Sequence, residues 1–351
     1  MNKLPVTVLG ATGLVGQRFV ARLASHPWFR LAGLAASEGH VGRPYGEVVS
    51  WKVPGCEVPA SAAALPMTSC APGGAPSPVV FSALGAEVAR EVEPAFARAG
   101  ALVFSNASAF RLERDVPLLV PEVNPEHAGL IGPQREHRGW SGALVCNPNC
   151  TTAILVCALA PLHREFGLRR LVVTSLQAAS GAGLPGVPGA DLVENVLPFI
   201  EGEESKLAAE TARLLGKFTG AAVTPADLVL SAACHRVPVV DGHTLAVSCE
   251  LGGDPTPEEV RAALEAWRPT PQELDLPSAP ARPVLVHTES DRPQPRLDVE
   301  TAGGMPVHVG RVRRCPVLGV QFVVLGHNLE RGAAGGSVLN AELFRAQGLL
   351  A

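Results

Sequence analysis

Val6-Thr7-Val8-Leu9-Gly10-Ala11-Thr12-Gly13-Leu14-Val15-Gly16 is an apolar strand that runs into a glycine-rich turn, and a helical pattern follows at residues 18–23. Glycines in such a turn let the backbone approach a pyrophosphate, and the helix N-terminus carries the matching partial positive charge. The spacing is G-x-x-G-x-x-G, not the commoner G-x-G-x-x-G, and a tight turn without a ligand would use the same residues. The order of strand, turn and helix predicts a dinucleotide site.

Short apolar segments and helical segments continue to alternate through the first half of the chain. The predicted strands cover residues 31–35, 79–85, 102–105, 118–120 and 143–146, and a helix covers 88–98. This alternation is typical of a parallel, doubly wound sheet, whose ligand crevice lies at the carboxyl ends of the strands. We therefore predict a Rossmann-like α/β N-terminal domain, with Ser37, Ala83, Asn106 and Cys150 near that crevice. The polar segment 132–142 is predicted as an exposed loop.

The end of the second predicted strand bears on the choice between NAD and NADP. An NAD site usually places an acidic residue there for the ribose 2′-hydroxyl. Here Ala36 and Ser37 come first, and a hydroxyl with free backbone N–H groups suits a 2′-phosphate, which Arg43 is close enough in sequence to pair with. Glu38 would favour NAD if its side chain pointed inward. We predict NADP.

After residue 150 the pattern changes to many strands with few helices between them. The predicted strands cover 171–177, 228–232, 244–251, 284–287, 307–313 and 317–325, and a helix covers 206–215. Such a pattern is typical of an α+β domain with a mostly antiparallel sheet. The small-residue segment 332–336 and a final helix to about residue 347 allow close packing onto the first domain.

Between the predicted strand at 143–146 and a predicted buried helix at 153–159 lies the stretch Asn147-Pro148-Asn149-Cys150-Thr151-Thr152. A thiol there meets unpaired N–H groups and the positive end of a helix dipole, and both favour the nucleophilic thiolate. A buried structural cysteine is the alternative. A Cys146/Cys150 zinc pair is a weaker alternative, because no second ligand pair follows at a usual spacing.

A histidine and an arginine in the second half are candidates for proton transfer and anion binding. Arg236 and His243 stand seven residues apart, and a turn at Asp241-Gly242 would bring both side chains into one cleft. An imidazole near a thiol can move a proton, and a guanidinium can hold a carboxylate with two hydrogen bonds. His235 is the rival proton carrier, and each residue taken singly is better explained as a hydrogen-bonded core histidine or a solvated arginine.

Further charged residues stand near predicted element ends. Glu203, Glu204 and Lys206 open the helix near residue 206, where acidic residues are ordinary partners of the helix dipole. Arg111 follows a strand end, as an anion ligand or as a surface arginine.

Composition limits the classes of protein and partner. The net charge of −4 gives no electrostatic reason to expect nucleic acid or an anionic membrane as a partner. No apolar run approaches the length of a bilayer span, and residues 6–9 form a strand where a signal peptide would lie. The eight cysteines are scattered, which favours free thiols and a cytoplasmic location.

Seven motifs in one order resemble the aspartate-β-semialdehyde dehydrogenase family, in the branch common in archaea and fungi. They are GATGLVG (10–16), SNASAFR (105–111), NPNCTT (147–152), SLQAASGAG (175–183), EESKLAAET (203–211), HRVPVVDGHT (235–244) and HNLERGAAGGSVLNAEL (327–343). The resemblance runs from residue 6 to about residue 344. It implies NADPH-dependent reduction of L-aspartyl-4-phosphate to L-aspartate-4-semialdehyde, in lysine, threonine and methionine biosynthesis.

The resemblance also implies roles for individual residues. Cys150 would carry the acyl group as a thioester and His243, not His235, would be the general acid/base, because the family histidine stands seven places after its arginine. Gln177 would orient the substrate, and Asn149 would help to polarise its carbonyl. The implied substrate ligands are Arg236 for the α-carboxylate, Glu203 for the amino group, and Arg111 and Lys206 for phosphate. The residues expected at NADP are Gly10, Thr12, Gly13, Leu14, Val15, Ser37, Ala83, Ser180, Gly181 and Asn328.

Relatives often have an arginine where this chain has Gly39, which weakens the case for strict NADP preference. The expected division is a cofactor domain of residues 1–149 plus about 327–351, and a catalytic and dimerisation domain of residues 150–326. A homodimer or homotetramer is expected, with the second domain's sheet as the dimer surface, and no metal. The rival functions are an N-acetyl-γ-glutamyl-phosphate reductase, a malonyl-CoA reductase and a non-enzymatic dinucleotide sensor.

Overall fold

A computed structural model describes residues 2–74 and 77–350. Its first sheet is six-stranded and parallel, in the order β3-β2-β1-β4-β5-β6. The strands are β1 (Leu4–Leu9), β2 (Phe29–Ala35), β3 (Met67–Thr68), β4 (Val79–Ser82), β5 (Leu102–Ser105) and β6 (Ala143–Cys146). This is the strand order of a doubly wound dinucleotide-binding sheet, so the Rossmann-like prediction is confirmed.

Helices cover both faces of the first sheet. In this half of the chain they are α1 (Leu14–Leu23), α2 (Tyr45–Val48), α3 (Ala60–Ala63), α4 (Ala86–Arg98) and α5 (Ile131–Arg138), with 3₁₀ turns at Glu38–His40, Pro72–Gly74 and Pro125–Leu130. Helix α5 covers residues 132–138 of the segment predicted as an exposed loop, and that prediction is wrong for these residues. The predicted strand at 118–120 is reduced to a single bridge between Leu118 and Cys146.

The second sheet is six-stranded and mixed, in the order β10-β7-β11-β14-β13-β12. Its strands are β7 (Leu168–Gln177), β10 (Val229–Arg236), β11 (His243–Leu251), β12 (Val284–Val286), β13 (Val307–Cys315) and β14 (Gly319–Gly326), and β8 (Lys217–Phe218) pairs separately with β9 (Val223–Thr224). The three central pairings are antiparallel, as predicted, and the two edge pairings are parallel. The second half is therefore an α+β domain with a mixed sheet.

Helix α6 (Cys150–Phe166) lies against one face of the second sheet, and residues 151–162 are all buried. The other helices of this half are α7 (Gly189–Leu192), α8 (Glu203–Leu214), α9 (Pro257–Ala266), α10 (Thr270–Glu273), α11 (Pro295–Asp298) and α12 (Ala334–Ala346), with 3₁₀ turns at Ala179–Ala182 and Thr301–Gly304. Helix α12 returns to the first sheet, where Phe344 packs edge-on against Phe104 with ring centroids 5.4 Å apart. None of the helices in the described ranges has the length and apolar character needed to cross a membrane.

Candidate active site

A cleft of about 540 Å³ lies where the carboxyl ends of the first sheet meet the start of α6 and the 3₁₀ turn after β7. The predicted site residues that line it are Gly13, Leu14, Val15, Ala83, Arg111, Asn149, Cys150, Ser180, Gly181, Glu203, Lys206 and Asn328. Gln177, Arg236 and His243 lie directly behind this lining and are buried. The structure thus brings the two ends of the chain's motif series into one cavity.

Cys150 is the first residue of α6, and Asn149 caps this helix. The Asn149 Oδ1 atom accepts hydrogen bonds from the N–H groups of Thr151 (2.9 Å) and Thr152 (3.3 Å), and its carbonyl accepts from Ala153 (2.8 Å). The cap leaves the Cys150 N–H unused, so this donor is available to an oxygen on a carbon bonded to the sulfur.

His243, the first residue of β11, is the imidazole that meets the thiol. Its Nε2 lies 3.2 Å from the Cys150 Sγ, while its Nδ1 accepts the N–H of Ala178 at 3.1 Å. Because Nδ1 is an acceptor, the ring proton resides on Nε2 and points at the sulfur. Complete burial, aided by Arg236 and His327, lowers the pKa of His243 to about 3. The imidazole is therefore neutral at physiological pH.

The resting sulfur is a thiol, which differs from the expectation based on its helix position alone. Burial, aided by the nearby Glu203 carboxylate and opposed by the charges of Arg111 and Arg236, raises the pKa of Cys150 to about 12. These groups come from three distant segments. Their effect on the sulfur could not be read from the sequence around residue 150.

Arg236 and His243 do share one cleft, but not through the predicted fold-back at Asp241-Gly242. Strand β7 lies between β10 and β11, so the two residues are not on neighbouring strands. Gly181 shows how close they are, since a Cβ at that position would lie 2.7 Å from Nη1 of Arg236 and 3.0 Å from Cε1 of His243. A side chain at this position would displace the Arg236 guanidinium and press on the His243 ring.

The rival His235 lies elsewhere. It precedes Arg236 on β10, and neighbouring strand residues point to opposite faces of the sheet. Its cross-strand partner Leu176 is 40% exposed on the outer face, away from the thiol.

Helix α8 begins at Glu203, three residues earlier than predicted, and presents its first turn to the cleft. The Glu203 carboxylate accepts hydrogen bonds from Nδ2 of Asn149 (2.9 and 3.0 Å) and from Nε2 of Gln177 (3.2 Å), and Nζ of Lys206 lies 3.6 Å away. The Asn149 amide group, expected to help polarise a carbonyl, is thus turned toward Glu203 in this structure.

Arg111 brings a buried guanidinium to the same cleft. Its Nη2 donates to the Asn106 carbonyl at 2.7 Å, and its Nη1 lies 3.2 Å from Oε1 of Glu210. Its buried Nε has no acceptor among the residues that the structure describes. Glu210 was not singled out in the sequence. The available signal was its position seven residues after Glu203, which places both on one face of α8.

The turn after β1 has the shape that a dinucleotide requires. Gly13 precedes α1 without any side-chain cap, so the first N–H groups of the helix face the cleft. Gly10 has a positive φ of 72°, and a Cβ there would lie 2.7 Å from the Ala83 carbonyl oxygen. Thr12 belongs to the same turn, and its carbonyl accepts a hydrogen bond from Gln17 at 2.8 Å.

The predicted cofactor residues beyond β2 are exposed, whereas Asn328, at the opposite end of the predicted cofactor site, is buried. Ser37 and Glu38 are both exposed beyond the end of β2, as is Arg43. At the other end, Nδ2 of Asn328 donates to Ser180 Oγ (2.8 Å), and its Oδ1 accepts the Gly242 N–H (2.9 Å). Asn328 therefore connects Ser180 to the residue before His243.

Cys146 lies buried in β6. The groups of potential metal ligands found in the described part of the chain are His287, Asp298 and His308, and Asp241, Glu300 and His327, and neither group contains Cys146 or Cys150.

Comparison with known proteins gives consistent matches over the whole chain. A family model described as the NAD binding domain of semialdehyde dehydrogenase matches residues 5–131, and one described as its dimerisation domain matches residues 159–331. Aspartate-semialdehyde dehydrogenase of Archaeoglobus fulgidus is 54% identical over 339 residues, which cover 97% of each chain. The enzyme of Methanothermobacter thermautotrophicus is 49% identical over 342 residues, covering 97% of this chain and 98% of the relative.

A solved structure shares the fold closely. The crystal structure of aspartate semialdehyde dehydrogenase with NADP from Candida albicans superposes with a TM-score of 0.90 at 39% identity, covering 99% of this chain and 100% of the other. The resemblance to the archaeal and fungal branch is confirmed by these matches.

Proposed function

The chain belongs to the aspartate-semialdehyde dehydrogenase family, and we propose that it reduces L-aspartyl-4-phosphate to L-aspartate-4-semialdehyde with release of phosphate. The observation that carries this proposal is the Cys150 sulfur 3.2 Å from a neutral imidazole, in a cleft lined by Arg111 and a dinucleotide turn, with the Arg236 guanidinium buried behind the lining. None of the three rival functions is favoured by the matches.

The proposed reaction begins with attack of the Cys150 sulfur on the acyl carbon. The S–C bond forms, the C–O bond to phosphate breaks, and the thiol proton leaves with the phosphate, because His243 already carries its proton on Nε2. NADPH supplies, when bound, the hydride that reduces the resulting thioester.

During reduction, His243 stabilises the substrate oxygen that develops negative charge. Its Nε2–H, aimed at the sulfur, also reaches an oxygen on the carbon bonded to that sulfur. It donates to this oxygen, and the Cys150 N–H is a second donor. As the C–S bond breaks, the aldehyde leaves and the sulfur departs as a thiolate, which takes a proton from solvent in place of the one that left with phosphate.

The proposed substrate ligands are matched in charge to an amino-acid acyl phosphate. Arg236 would hold the α-carboxylate, Glu203 the ammonium group and Gln177 the substrate's orientation, while Arg111 and Lys206 would bind phosphate. Glu203 also raises the pKa of Cys150. A bound ammonium group would offset that charge, so substrate binding itself would favour the thiolate.

We assign the remaining predicted residues in the same way. The cofactor is NADP, bound by the β1–α1 turn and by Ser37, Ala83, Ser180, Gly181 and Asn328. The NADP-bound relative and the family match support this assignment.

We assign residues 1–149 and about 327–351 to a cofactor domain, and residues 150–326 to a catalytic domain. The two separate sheets and the return of α12 to the first sheet support this division. The eight cysteines are free in the structure, which supports a cytoplasmic location.

The direct test is phosphate-dependent reduction of NADP with L-aspartate-4-semialdehyde, followed by nicotinamide absorbance. We expect turnover that disappears when phosphate or arsenate is omitted. Cys150→Ala should abolish turnover while NADP still binds, since the variant removes only the nucleophile. Substantial activity in Cys150→Ala would refute the thioester route.

A further inference from the structure

Glu210 is a buried carboxylate that the proposed reaction does not yet use. It lies on α8 with Glu203 and Lys206, at positions i, i+3 and i+7, so all three residues face the cleft side of the helix. Its side chain is only 2% exposed. A carboxylate this deep in a protein normally has specific partners that justify its burial.

The two oxygens of Glu210 have different partners. Oε2 accepts the backbone N–H of Asn149 at 2.6 Å, and Oε1 lies 3.2 Å from Nη1 of Arg111. Burial raises the pKa of Glu210, while Arg111 and the Asn149 N–H act to lower it. Both oxygens act as acceptors, so the ionised form satisfies both partners together.

These partners belong to the two halves of the reaction centre. Asn149 caps α6, and its peptide leads directly to the nucleophile Cys150. Arg111 is the proposed phosphate ligand, and its buried Nε remains free of any acceptor in the described residues. Glu210 is thus a rigid link between the sulfur and the guanidinium on which the leaving phosphate would bind.

We propose that Glu210 is a positioning residue that fixes the position of the Arg111 guanidinium relative to the Asn149–Cys150 peptide. The inference rests on the proposed function. It gives one carboxylate control of two steps, the attack by Cys150 and the binding of phosphate. A misplacement of about 1 Å in such a centre costs on the order of 100-fold in rate.

The test uses Glu210→Gln in the full-length protein. An amide offers one acceptor oxygen where two donors must be met, so one of the two contacts is lost. Without phosphate, mixing enzyme, NADP and semialdehyde gives a single burst of NADPH whose rate reports attack and hydride transfer. With phosphate, the steady state reports phosphate KM. We expect the burst rate to fall and phosphate KM to rise, each at least tenfold, with NADP affinity unchanged.

Glu342→Gln is a matched control. Glu342 is also fully buried, and its oxygens accept from His26 Nε2 (2.7 Å) and the Ser278 N–H (2.9 Å), far from the cleft. This variant should lose thermal stability with normal burst rate and phosphate KM. Glu210→Asp, which keeps the charge but is one methylene too short to reach both donors, is the second variant if the glutamine form folds poorly.

The outcomes separate the inference from the proposed function. If Glu210→Gln melts earlier but keeps the wild-type burst and phosphate KM, Glu210 is only structural and the inference fails. If the wild-type protein itself shows no phosphate-dependent turnover of semialdehyde, the proposed function fails, whatever the variants do.

Discussion

At the scale of single residues, His243 determines how the proposed chemistry depends on pH. The Ala178 N–H occupies Nδ1, and burial lowers the pKa of the imidazole to about 3. A lowered pKa means that the charged form appears only well below pH 5. We expect the ¹⁵N resonances of His243 to keep the Nε2–H pattern from pH 5.5 to 8.5, and kcat to show no inflection from this residue. A resonance that titrates near 6.5 would contradict this.

Substitution separates His243 from its rival. His243→Asn should lower kcat by roughly 10²- to 10³-fold, the usual loss when one donor to a developing oxyanion is removed. His235→Asn should remain close to wild type, since His235 is directed to the other face of β10. The opposite result would mean that the structure pairs the wrong histidine with the thiol.

Most of the site residues could be predicted because they stand in local sequence motifs. The features that were not predicted depend on contacts between residues far apart in the chain. Cys150, His243 and Arg236 stand in recognisable local patterns. Glu210 resembles any acidic residue on a helix surface, because its partners are 61 and 99 residues away in the chain. The raised pKa of Cys150 likewise arises from burial and from Glu203, which no local pattern displays.

At the scale of elements, α5 was missed because its anchors lie outside its own sequence. The buried Gln134 side chain donates to the Leu144 carbonyl (2.9 Å) and accepts the Leu144 N–H (2.7 Å). Its amide group thus satisfies the two backbone groups of Leu144 that a neighbouring strand would otherwise bind. Local composition in this segment is polar and glycine-rich, which is typical of loops. By contrast, the burial of α6 was predictable, because a helix that is apolar on every face is stable only inside the core.

Asp115 is the second anchor of α5, and it predicts a pH-dependent stability. Burial acts to raise its pKa, but hydrogen bonds from Arg138 (2.6 Å each) and His137 lower it to about 2. Because the pKa is lowered, the stabilisation is present above the unfolded value of about 3.9 and is lost as pH falls toward about 2. We expect Asp115→Asn to cost about 1 kcal/mol at pH 7, or roughly 2 °C in Tm.

The measurement is Tm by differential scanning fluorimetry between pH 3 and pH 7. The gap between wild type and Asp115→Asn should narrow as the pH falls. Glu113→Gln is the control, because Glu113 is half-exposed and lies 3.7 Å from Arg138, so its loss should change Tm little. An unchanged gap across the pH range would show that the ion pair does not anchor the helix.

At the scale of the whole molecule, the two sheets were predictable as classes but not as strand orders. The βαβ alternation leads to a parallel sheet because crossover connections leave few other arrangements. In the second sheet, β10 pairs in parallel with β7 across 51 intervening residues, from 178 to 228, and only the folded chain reveals this neighbour. This pairing is what brings Arg236 beside Gln177 and into the cleft.

The outer face of the second sheet predicts how copies of the chain assemble. Val172 and Leu176 on β7 are 49% and 40% exposed, and Ala246 lies between Thr174 and Val323 at the centre of this face. Exposed apolar sheet faces are typical of interaction surfaces, and the family model that matches residues 159–331 is described as a dimerisation domain. We expect Ala246→Arg to place like charges on both copies, so that the mass by light scattering falls to that of one chain, 36.5 kDa. Val317→Arg, at an 80% exposed position in the β13–β14 turn, should leave assembly intact. If Ala246→Arg keeps the wild-type mass, the chains associate through another surface.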